Sequence, residues 1–308
     1  MQELSKLILS EYQTRKTKAQ KTAFIELIKQ FYPDAKVEEG GLFHNRNIVI
    51  GDTDRADFVI TAHYDTCAKL PFPNFLAPKN FIATLLYSLL IALPFFALTI
   101  AFEVLLLLLS VNEAAVATIA MVLIWAGVFW LLYFGKPNER TANDNTSGVI
   151  ALCELLETLD PDQKKYTAFV FFDNEEYGLL GSAFFRKLHK KRSNQFLLIN
   201  LDCISDGDHI TMVSSKAARK KFGVLLESSF ANSGKKIFHF WKASNTFYPS
   251  DQMNFPLSIG IAAFHKKPLI GYYIDKIHTK HDTIFDEQNI KCICNGIQTF
   301  LEKAVSAR

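Results

Sequence analysis

The stretch that decides the fold runs from Tyr166 to Ser182 and reads YTAFVFFDNEEYGLLGS. Residues 166–172 are mostly apolar, which is typical of a strand buried on both faces. This strand leads into two adjacent glutamates, Glu175 and Glu176, just before a glycine-containing helix start. Neighbouring carboxylates at a buried strand end repel each other, so a bound cation or a catalytic role would account for both. An exposed acidic turn that favours the helix N-terminus would account for them equally well.

Strands and helices alternate on both sides of this stretch. The predicted strands are short runs, most of them rich in Val, Ile and Phe: Asn47–Gly51, Phe58–His63, Tyr166–Phe172, Phe196–Leu201, Ile210–Val213, Ile237–Phe240, Ile259–Phe264 and Ile270–Ile274. The predicted helices are Gln20–Phe31, Gly148–Leu159, Leu179–Leu188, Lys216–Ala231 and Asp286–Ala304. The alternation predicts an α/β fold with a mostly parallel, twisted central sheet flanked by helices.

The segment of residues 80–135 departs from the composition of a soluble domain. It has no Lys or Arg, and its only charges are Glu103 and Glu113. Its two apolar runs, 81–102 and 114–134, are each long enough to cross a hydrocarbon core of about 30 Å as a helix. A pair of buried core helices is the alternative, but it would need a very large soluble core. The sequence therefore predicts an inserted two-helix transmembrane hairpin.

The surroundings of the hairpin predict its orientation. Basic residues flank it on one side, at Lys69, Lys79, Lys136 and Arg140. The connection EVLLLLLSVNE carries only acids, and it either extends the first helix or turns at the interface near residues 110–113. The positive-inside rule then predicts a multi-pass protein of the cell membrane with both flanks, both termini and the catalytic domain in the cytoplasm.

A hairpin returns the chain to the side that it left, so residues 1–79 and 136–308 are predicted to form one discontinuous domain, with 80–135 as the insertion. The Ala-rich second helix also allows a homo-oligomer, because small residues let membrane helices pack closely.

Bulk composition narrows the partners and the compartment. The 308 residues carry a net charge of +3, from 34 basic and 31 acidic side chains, which is too balanced to favour a nucleic acid. The five cysteines have no disulfide-framework spacing, which fits a reducing compartment. The N-terminal stretch is amphipathic and lacks the apolar region and cleavage site of a signal peptide.

Imidazoles and carboxylates recur at other strand ends and loops, where an open α/β sheet builds its sites. His63 and Asp65 end the strand FVITAHYDT and share one face, so Asp65 can accept the second ring N–H of His63. Asp202 ends the strand FLLINLD. Each of these also has an ordinary structural interpretation as a satisfied pair or a cap.

Two loops supply the remaining candidates. Asp144 lies in the polar loop ERTANDNTSG before an amphipathic helix, where helix capping is the alternative role. His278 and His281 lie in IHTKHDT before the last helix. Together with the strand-end residues they form an ordered set of imidazoles and carboxylates that suits a pair of zinc ions with one bridging carboxylate.

The ordered motifs HYDT, NDNTSG, FVFFDNEEYGLLGS, NLD and HTKHDT resemble those of the dinuclear-zinc aminopeptidase family, which also contains glutamate carboxypeptidases and glutaminyl cyclases. The resemblance covers roughly residues 47–75 and 136–304 and implies a zinc exopeptidase-like fold with two zinc ions. The implied ligands are His63 and Asp202 for one zinc, Glu176 and His278 for the other, and Asp144 as the bridge.

The resemblance also implies catalytic roles. Glu175 would be the general base, Asp65 would orient His63, and Tyr248 would be a donor to the oxyanion, although a packed aromatic is the alternative for Tyr248. His281 would not be a ligand. The chain departs from the family pattern at Gln252, where relatives commonly have histidine.

The spacing of the first two ligands is the second departure. His63 and Asp144 lie 81 positions apart, where relatives usually need a short loop, and the surplus is the hairpin. The hairpin is therefore expected to lie at the rim of the site.

The predicted function is that of a membrane-associated zinc metallopeptidase, an aminopeptidase acting on peptides, with a lipid bilayer as partner through residues 81–134 and no nucleic acid. Three alternatives stay open: a glutaminyl-cyclase-type acyltransferase with one zinc, a catalytically silent membrane scaffold of the same fold, and a carboxypeptidase.

Overall fold

The structure is a computed structural model that describes residues 1–109 and 114–306. The strands are β1 Lys36–Gly40, β2 Asn45–Ile50, β3 Phe58–His63, β4 Thr167–Phe172, β5 Leu197–Leu201, β6 His209–Ser214, β7 Ile237–Lys242, β8 Ser258–Lys267 and β9 Gly271–Tyr273. The helices are α1 Glu3–Glu11, α2 Lys18–Phe31, α3 Phe81–Leu108, α4 Ala114–Phe134, α5 Gly148–Thr158, α6 Pro161–Lys165, α7 Leu180–Leu188, α8 Lys216–Ser229 and α9 Glu287–Ser306.

The strands form one mixed sheet in the order β1-β2-β4-β3-β5-β8-β6-β7, with β9 paired to β8. The four strands at its centre, β4, β3, β5 and β8, are parallel. At one edge β1 and β2 are antiparallel, and at the other edge β6 runs antiparallel to β8. The predicted α/β fold is confirmed, with parallel pairing concentrated in the centre of the sheet.

The antiparallel edge begins with β2, which runs antiparallel to β4, and it is extended by β1, a strand that the pattern did not predict. Its sequence KVEEG is polar and partly exposed, because one edge strand of a sheet has few apolar neighbours to bury. The central strands β3, β4 and β5 are instead buried along their whole length. Helices α5 and α9 cover one face of the sheet through buried residues that include Val149, Ile293 and Phe300.

The hairpin helices lie outside this core. Helix α3 continues to Leu108, so the segment after residue 102 extends the first helix; the expected turn at 110–113 lies outside the described residues. Both helices are long and apolar enough to cross a membrane, and in their most apolar stretches only 6% of the α3 residues and 0% of the α4 residues are buried. The alternative of two buried core helices does not fit this exposure. The two helices contact each other through Trp125, whose ring centroid lies 5.1 Å from that of Phe96.

The two ends of the hairpin lie side by side in the domain. Ala68 and Pro137 form an antiparallel bridge. The amide of Lys69 donates to the carbonyl of Lys136 at 2.8 Å. At the start of α3 the side chain of Asn80 accepts from the amide of Ala83 at 3.1 Å and caps the helix. The chain therefore leaves and re-enters the domain at adjacent points.

Candidate active site

The carboxyl ends of three neighbouring parallel strands bring most of the site together. His63 ends β3, Asp202 follows β5, and Glu175 and Glu176 follow β4 on the other side of β3. Because parallel strands end at the same edge of a sheet, residues far apart in sequence meet there. Asp144 and His278 reach the same place from the loops before α5 and α9.

The first cluster consists of His63, Asp144 and Asp202, all buried. The Nε2 atom of His63 lies 3.3 Å from Oδ1 of Asp144 and 3.5 Å from Oδ1 of Asp202. Three side chains with oxygen and nitrogen atoms this close form a candidate cation site.

The second cluster contains His278 and Glu176 and shares Asp144 with the first. The Nε2 atom of His278 lies 3.1 Å from Oδ2 of Asp144 and 3.2 Å from Oε2 of Glu176. The two carboxylate oxygens of Asp144 therefore face different histidines. Cys67 also offers its sulfur beside Glu176 and His278, a donor that the sequence analysis did not predict.

The main chain of Asp144 is held by a second carboxylate. Asp282 accepts hydrogen bonds from the amides of Asn143 at 2.8 Å and Asp144 at 3.0 Å. Sequence reasoning missed Asp282, although it lies in the motif HTKHDT. Burial and the charge of Asp144 raise the pKa of Asp282 well above its usual range.

Asp65 differs in detail from the prediction. Its main-chain oxygen lies 3.1 Å from Nδ1 of His63, whereas its carboxylate oxygen lies 3.6 Å away. The carboxylate instead accepts from the amides of Glu175 at 3.0 Å and Glu176 at 3.2 Å. The ring-to-carboxylate distance of 3.6 Å is too long for the expected hydrogen bond, and the main-chain oxygen of Asp65 takes its place beside the ring. Asp65 thus links β3 to the turn that carries both glutamates.

Glu175 lies in the same pocket as the two clusters. Burial raises its pKa well above the usual range; His63 opposes this shift, and the charges of Asp202 and Glu176 add to it. Burial likewise raises the pKa of Glu176 to about 8, against the influence of His278.

For the two histidines, burial lowers the pKa and the neighbouring carboxylates raise it. Burial alone would lower the pKa of His278, but Glu176 and Asp144 raise it to about 9. The pKa of His63 is also raised well above its usual value, because Glu175, Asp144 and Asp202 outweigh the effect of burial. Among the described residues, the pocket wall holds four carboxylates, those of Asp144, Glu175, Glu176 and Asp202, against the cationic or titratable side chains of Lys16 and His278.

The donor set fits zinc. Imidazole nitrogens and carboxylate oxygens are ligands that zinc accepts, and buried carboxylates need a cation nearby. Oε1 of Glu176 and Oδ1 of Asp202 are buried without a hydrogen-bond partner within the described residues. Both atoms belong to predicted ligands, so the unsatisfied acceptors lie where a metal ion is expected.

Arg15 is a cation beneath the site that the sequence analysis missed. It is fully buried and donates to the carbonyl of Tyr64 at 2.5 Å and to the hydroxyl of Thr146 at 3.1 Å. Burial lowers its pKa to about 10, while Asp65 and Asp144 favour its charged form. It therefore ties the N-terminal segment to the loop that carries Asp144.

Tyr248 lines the pocket, but its hydroxyl already has a partner. It donates to the main-chain carbonyl of Asp202 at 2.9 Å. Gln252 bridges this segment to the sheet, since its amide donates to the carbonyl of Tyr248 and its oxygen accepts from Asn200. His281 is exposed and is in none of the candidate metal groups of the described residues.

The hairpin forms part of the pocket wall. The pocket has a volume of about 540 Å³ and contains Asp144, Glu175 and Glu176 together with residues of both hairpin helices. The hairpin contributes Thr84 and Ser88 from α3 and Leu132 and Tyr133 from α4. The site and the predicted membrane segment are thus directly adjacent.

Comparison with known proteins gives one family match. The sequence profile of Peptidase family M28 matches residues 129–293. A search of curated proteins found no match.

Solved structures resemble the whole chain in fold. A glutaminyl cyclase from an Acidobacteriales bacterium has a TM-score of 0.61 at 13% identity, over 99% of this chain and 93% of that one. A Zn-dependent exopeptidase from Parabacteroides distasonis has a TM-score of 0.57 at 15% identity, over 97% and 94%. The Legionella pneumophila LapA aminopeptidase has a TM-score of 0.54 at 13% identity, over 99% and 70%. At these identities the likeness concerns the fold alone.

Proposed function

The chain belongs to peptidase family M28, and from this premise we propose that it is a membrane-anchored zinc aminopeptidase that removes N-terminal residues from peptides. The family is one of zinc-dependent exopeptidases. Family membership does not fix the number of metal ions, the aminopeptidase specificity or the membrane anchor, and these three points are our proposal.

The position of Asp144 carries the proposal of two zinc ions. Its two oxygens face His63 and His278 at 3.3 and 3.1 Å, so one carboxylate serves two neighbouring clusters. We assign His63 and Asp202 to one zinc, Glu176 and His278 to the other, and Asp144 to both. A glutaminyl cyclase is the rival with one metal, and the structural likeness to that enzyme keeps it as a second candidate.

The chemistry follows from the groups around this pair of clusters. Zinc held there would supply a Lewis acid that polarises the scissile carbonyl and lowers the pKa of the attacking water. Glu175 takes the proton of that water as the carbon–oxygen bond forms, and it then delivers the proton to the leaving amine nitrogen as the carbon–nitrogen bond breaks. Burial raises the pKa of Glu175, which suits a group that must take and return a proton.

Two further residues assist this step. Asp65 positions the Glu175–Glu176 turn through its hydrogen bonds to both amides. Tyr248 is the proposed donor to the oxyanion. Its hydroxyl would have to leave the carbonyl of Asp202, to which it is bonded at 2.9 Å, when substrate binds.

The hairpin supports a location at the membrane. Its helices expose apolar surface along most of their length, and their domain-side residues line the catalytic pocket. We propose that the hairpin spans the cell membrane, with the domain and both termini in the cytoplasm. Apolar peptides that partition to the bilayer interface are the proposed substrates, because the pocket wall includes Thr84 near the start of α3 and Leu132 near the end of α4, the two domain-side ends of the hairpin.

Cleavage of paired peptides tests the activity. The full chain is purified in detergent and incubated with one apolar peptide in two forms, with a free and with an acetylated N-terminus, and the products are analysed by mass spectrometry. We expect loss of the N-terminal residue from the free peptide only, and loss of this activity on chelation with recovery on added zinc.

Other product patterns would point elsewhere. Shortening from the C-terminus of both forms would identify a carboxypeptidase. Cyclisation of an N-terminal glutamine without hydrolysis would favour the glutaminyl-cyclase-type reaction, and no zinc-dependent product at all would favour a silent scaffold.

A further inference from the structure

A second pocket lies beside the domain-side end of α4, on the outside of the catalytic site. Its volume is about 590 Å³, and its wall includes Phe134, the last residue of α4, and Tyr177. Its cations are Lys16, Lys18, Lys21 and Arg46. We refer to this cavity, defined by those six residues, as the basic pocket.

Three of the four cations lack a carboxylate partner. Lys21 is bonded to Asp173 at 2.6 Å, which leaves that charge balanced. Lys16, Lys18 and Arg46 are in no salt bridge among the residues that the structure describes. Glu39 is the remaining acid of the pocket wall and lies opposite Arg46 in the β1–β2 pairing. The pocket therefore keeps an excess of positive charge.

Neutral partners hold two of these cations, Lys16 and Arg46, in place. The amine of Lys16 donates to the carbonyl of Tyr133 at 2.6 Å and to the hydroxyl of Tyr177 at 3.2 Å. The guanidinium of Arg46 donates to the hydroxyl of Thr22 at 2.8 Å. Lys18 is exposed at the mouth of the pocket. Neutral acceptors orient Lys16 and Arg46 without cancelling their charge, which leaves both able to attract an anion.

An aromatic and apolar edge borders the pocket on the side of the hairpin. The ring of Tyr177 lies 6.1 Å from that of Phe43 and 5.7 Å from that of Phe134. At the turn between β1 and β2, Leu42 is 69% exposed and Phe43 is 57% exposed. Exposed aromatic and apolar side chains next to lysines are typical of surfaces at a membrane–water interface.

A similar apolar tip lies beside the other hairpin helix. Leu269, in the turn between β8 and β9, is 99% exposed. Its carbonyl accepts a hydrogen bond from Asn80, the cap of α3, at 3.2 Å. The domain thus displays one apolar tip next to each of the two points where the chain enters the apolar helices. With the hairpin in the proposed membrane location, these two tips would face the bilayer.

We propose that the basic pocket binds the phosphate headgroup of an anionic phospholipid. The phosphate accepts from Lys18, Arg46 and Lys16, while Phe134 and Phe43 contact the glycerol and the upper acyl chains. Basic pockets beside the cytoplasmic ends of membrane helices are suited to this ligand by their charge and position. The inference rests on the membrane-spanning part of the proposed function.

A lipid bound in the basic pocket would also affect the catalytic pocket, because one residue lines both cavities. Lys16 lines both cavities, and its amine is bonded to the end of α4. A headgroup at the basic pocket therefore fixes α4 against the domain at the point where the catalytic pocket meets the hairpin.

Native mass spectrometry of the full chain tests the headgroup site. The detergent-purified protein is titrated with phosphatidylglycerol or with phosphatidylcholine of the same acyl chains, and the retained lipid is counted. We expect one molecule of phosphatidylglycerol to be retained in preference to phosphatidylcholine. Lys18→Glu should weaken that retention by at least about five-fold, since the loss of one basic residue near an anionic headgroup alone costs about this factor.

Two further variants make the result specific. Phe43→Ser removes an exposed contact without altering charge and should weaken phosphatidylglycerol retention by a smaller factor. Lys220→Glu is the matched control, because Lys220 is an exposed lysine of α8 and the change in charge is identical. It should leave retention unchanged.

Three outcomes would overturn the proposal. They are equal retention of the two lipids, equal weakening by Lys18→Glu and Lys220→Glu, and displacement of phosphatidylglycerol by inorganic phosphate at matched concentration, which would indicate a site for a free anion. The readout needs no turnover, so a chain that retains phosphatidylglycerol but hydrolyses no peptide contradicts the proposed enzyme alone. A chain that hydrolyses peptides without a lipid preference contradicts the headgroup site alone.

Discussion

The hairpin and the central sheet place the same residue types in opposite surroundings. Ile60 and Leu201 of the sheet are completely buried, whereas Leu98 and Leu123 of the hairpin are 55% and 65% exposed. The sheet buries its apolar side chains against helices of the same domain. The described hairpin residues have no comparable partner, so their partner must come from outside, and our proposal assigns that role to lipid.

Charge divides the two regions in the same way. The edge of the sheet gathers five buried or half-buried carboxylates, Asp65, Asp144, Glu175, Glu176 and Asp202. In the described hairpin the only charged residue is Glu103. Both regions are unfavourable in plain water without a partner: the carboxylates need cations, and the apolar helices need hydrocarbon. The comparison predicts that substitutions will act selectively on one region.

The largest effect is expected for Glu175→Gln. Because this removes the group that takes and returns the proton, kcat should fall about 10³-fold. The zinc content and the membrane association should not change. Glu227→Gln, the same change on the exposed surface of α8, serves as the control in the peptidase assay. Unchanged kcat in Glu175→Gln would contradict the proposed mechanism.

The second largest effect is expected for a charge in the middle of α3, which should affect the hairpin and leave the sheet unchanged. Leu98→Arg should disfavour insertion of this helix by about 2.5–3.5 kcal/mol, the cost of arginine near a bilayer centre. The fraction that stays in membranes after an alkaline wash measures it.

Leu188→Arg provides a matched control, because Leu188 on α7 is 54% exposed and Leu98 is 55% exposed. A transmembrane hairpin predicts loss from membranes for Leu98→Arg alone. The same behaviour in both variants would mean that α3 is an ordinary surface helix.

Tyr248→Phe probes the oxyanion donor. If the hydroxyl turns to the substrate, its removal should lower kcat about 10²-fold with little change in KM. Tyr64→Phe is the comparison variant, since the buried hydroxyl of Tyr64 also donates to a main-chain carbonyl, that of Arg46, at 3.0 Å. A purely structural Tyr248 would instead show a lower Tm and nearly normal kcat, as expected for Tyr64→Phe.

The smallest effect concerns the response of the domain to acid. Burial alone would raise the pKa of Asp206, but hydrogen bonds from His265 and Lys276, both at 2.8 Å, lower it. A carboxyl with a lowered folded pKa adds stability above its unfolded pKa and loses it as the pH falls through the folded value. Asp206→Asn should therefore reduce stability at neutral pH by less than about 1 kcal/mol and flatten its decline below roughly pH 4.

Thermal unfolding followed at several pH values measures this change. The helical signal that remains with the detergent-bound hairpin should not vary over the same range, because Glu103 is the one charge in its described part. A pH-dependent hairpin signal would show that the two regions are not independent in this respect.

The central strands and the residues at their ends could be predicted from the local sequence pattern. Strand β3 ends at His63 as predicted, and apolar runs predicted β4 and β5 to within one residue. Such runs are reliable because a strand buried on both faces has few other interpretations. The two hairpin helices were equally easy to predict, since few segments of this length in soluble proteins carry so little charge.

The parts that were missed depend on contacts between distant residues. Strand β1 is polar, and pairing with β2 rather than its own composition makes it a strand. Arg15 and Asp282 support Asp144 from 129 and 138 positions away in the chain, and a single sequence carries no pattern for such pairs. The choice of Asp65 as a partner for His63 found the right neighbour but not the main-chain atom that lies closest to the ring.

The metal content of the purified full chain tests the central claim most directly. Elemental analysis of protein prepared without chelator, and dialysed against zinc and then against metal-free buffer, gives the number of zinc ions per chain. The shared position of Asp144 between His63 and His278 predicts two. A count of one would contradict the paired site and favour the glutaminyl-cyclase-type reaction, and a chain that retains none would contradict the account as a whole.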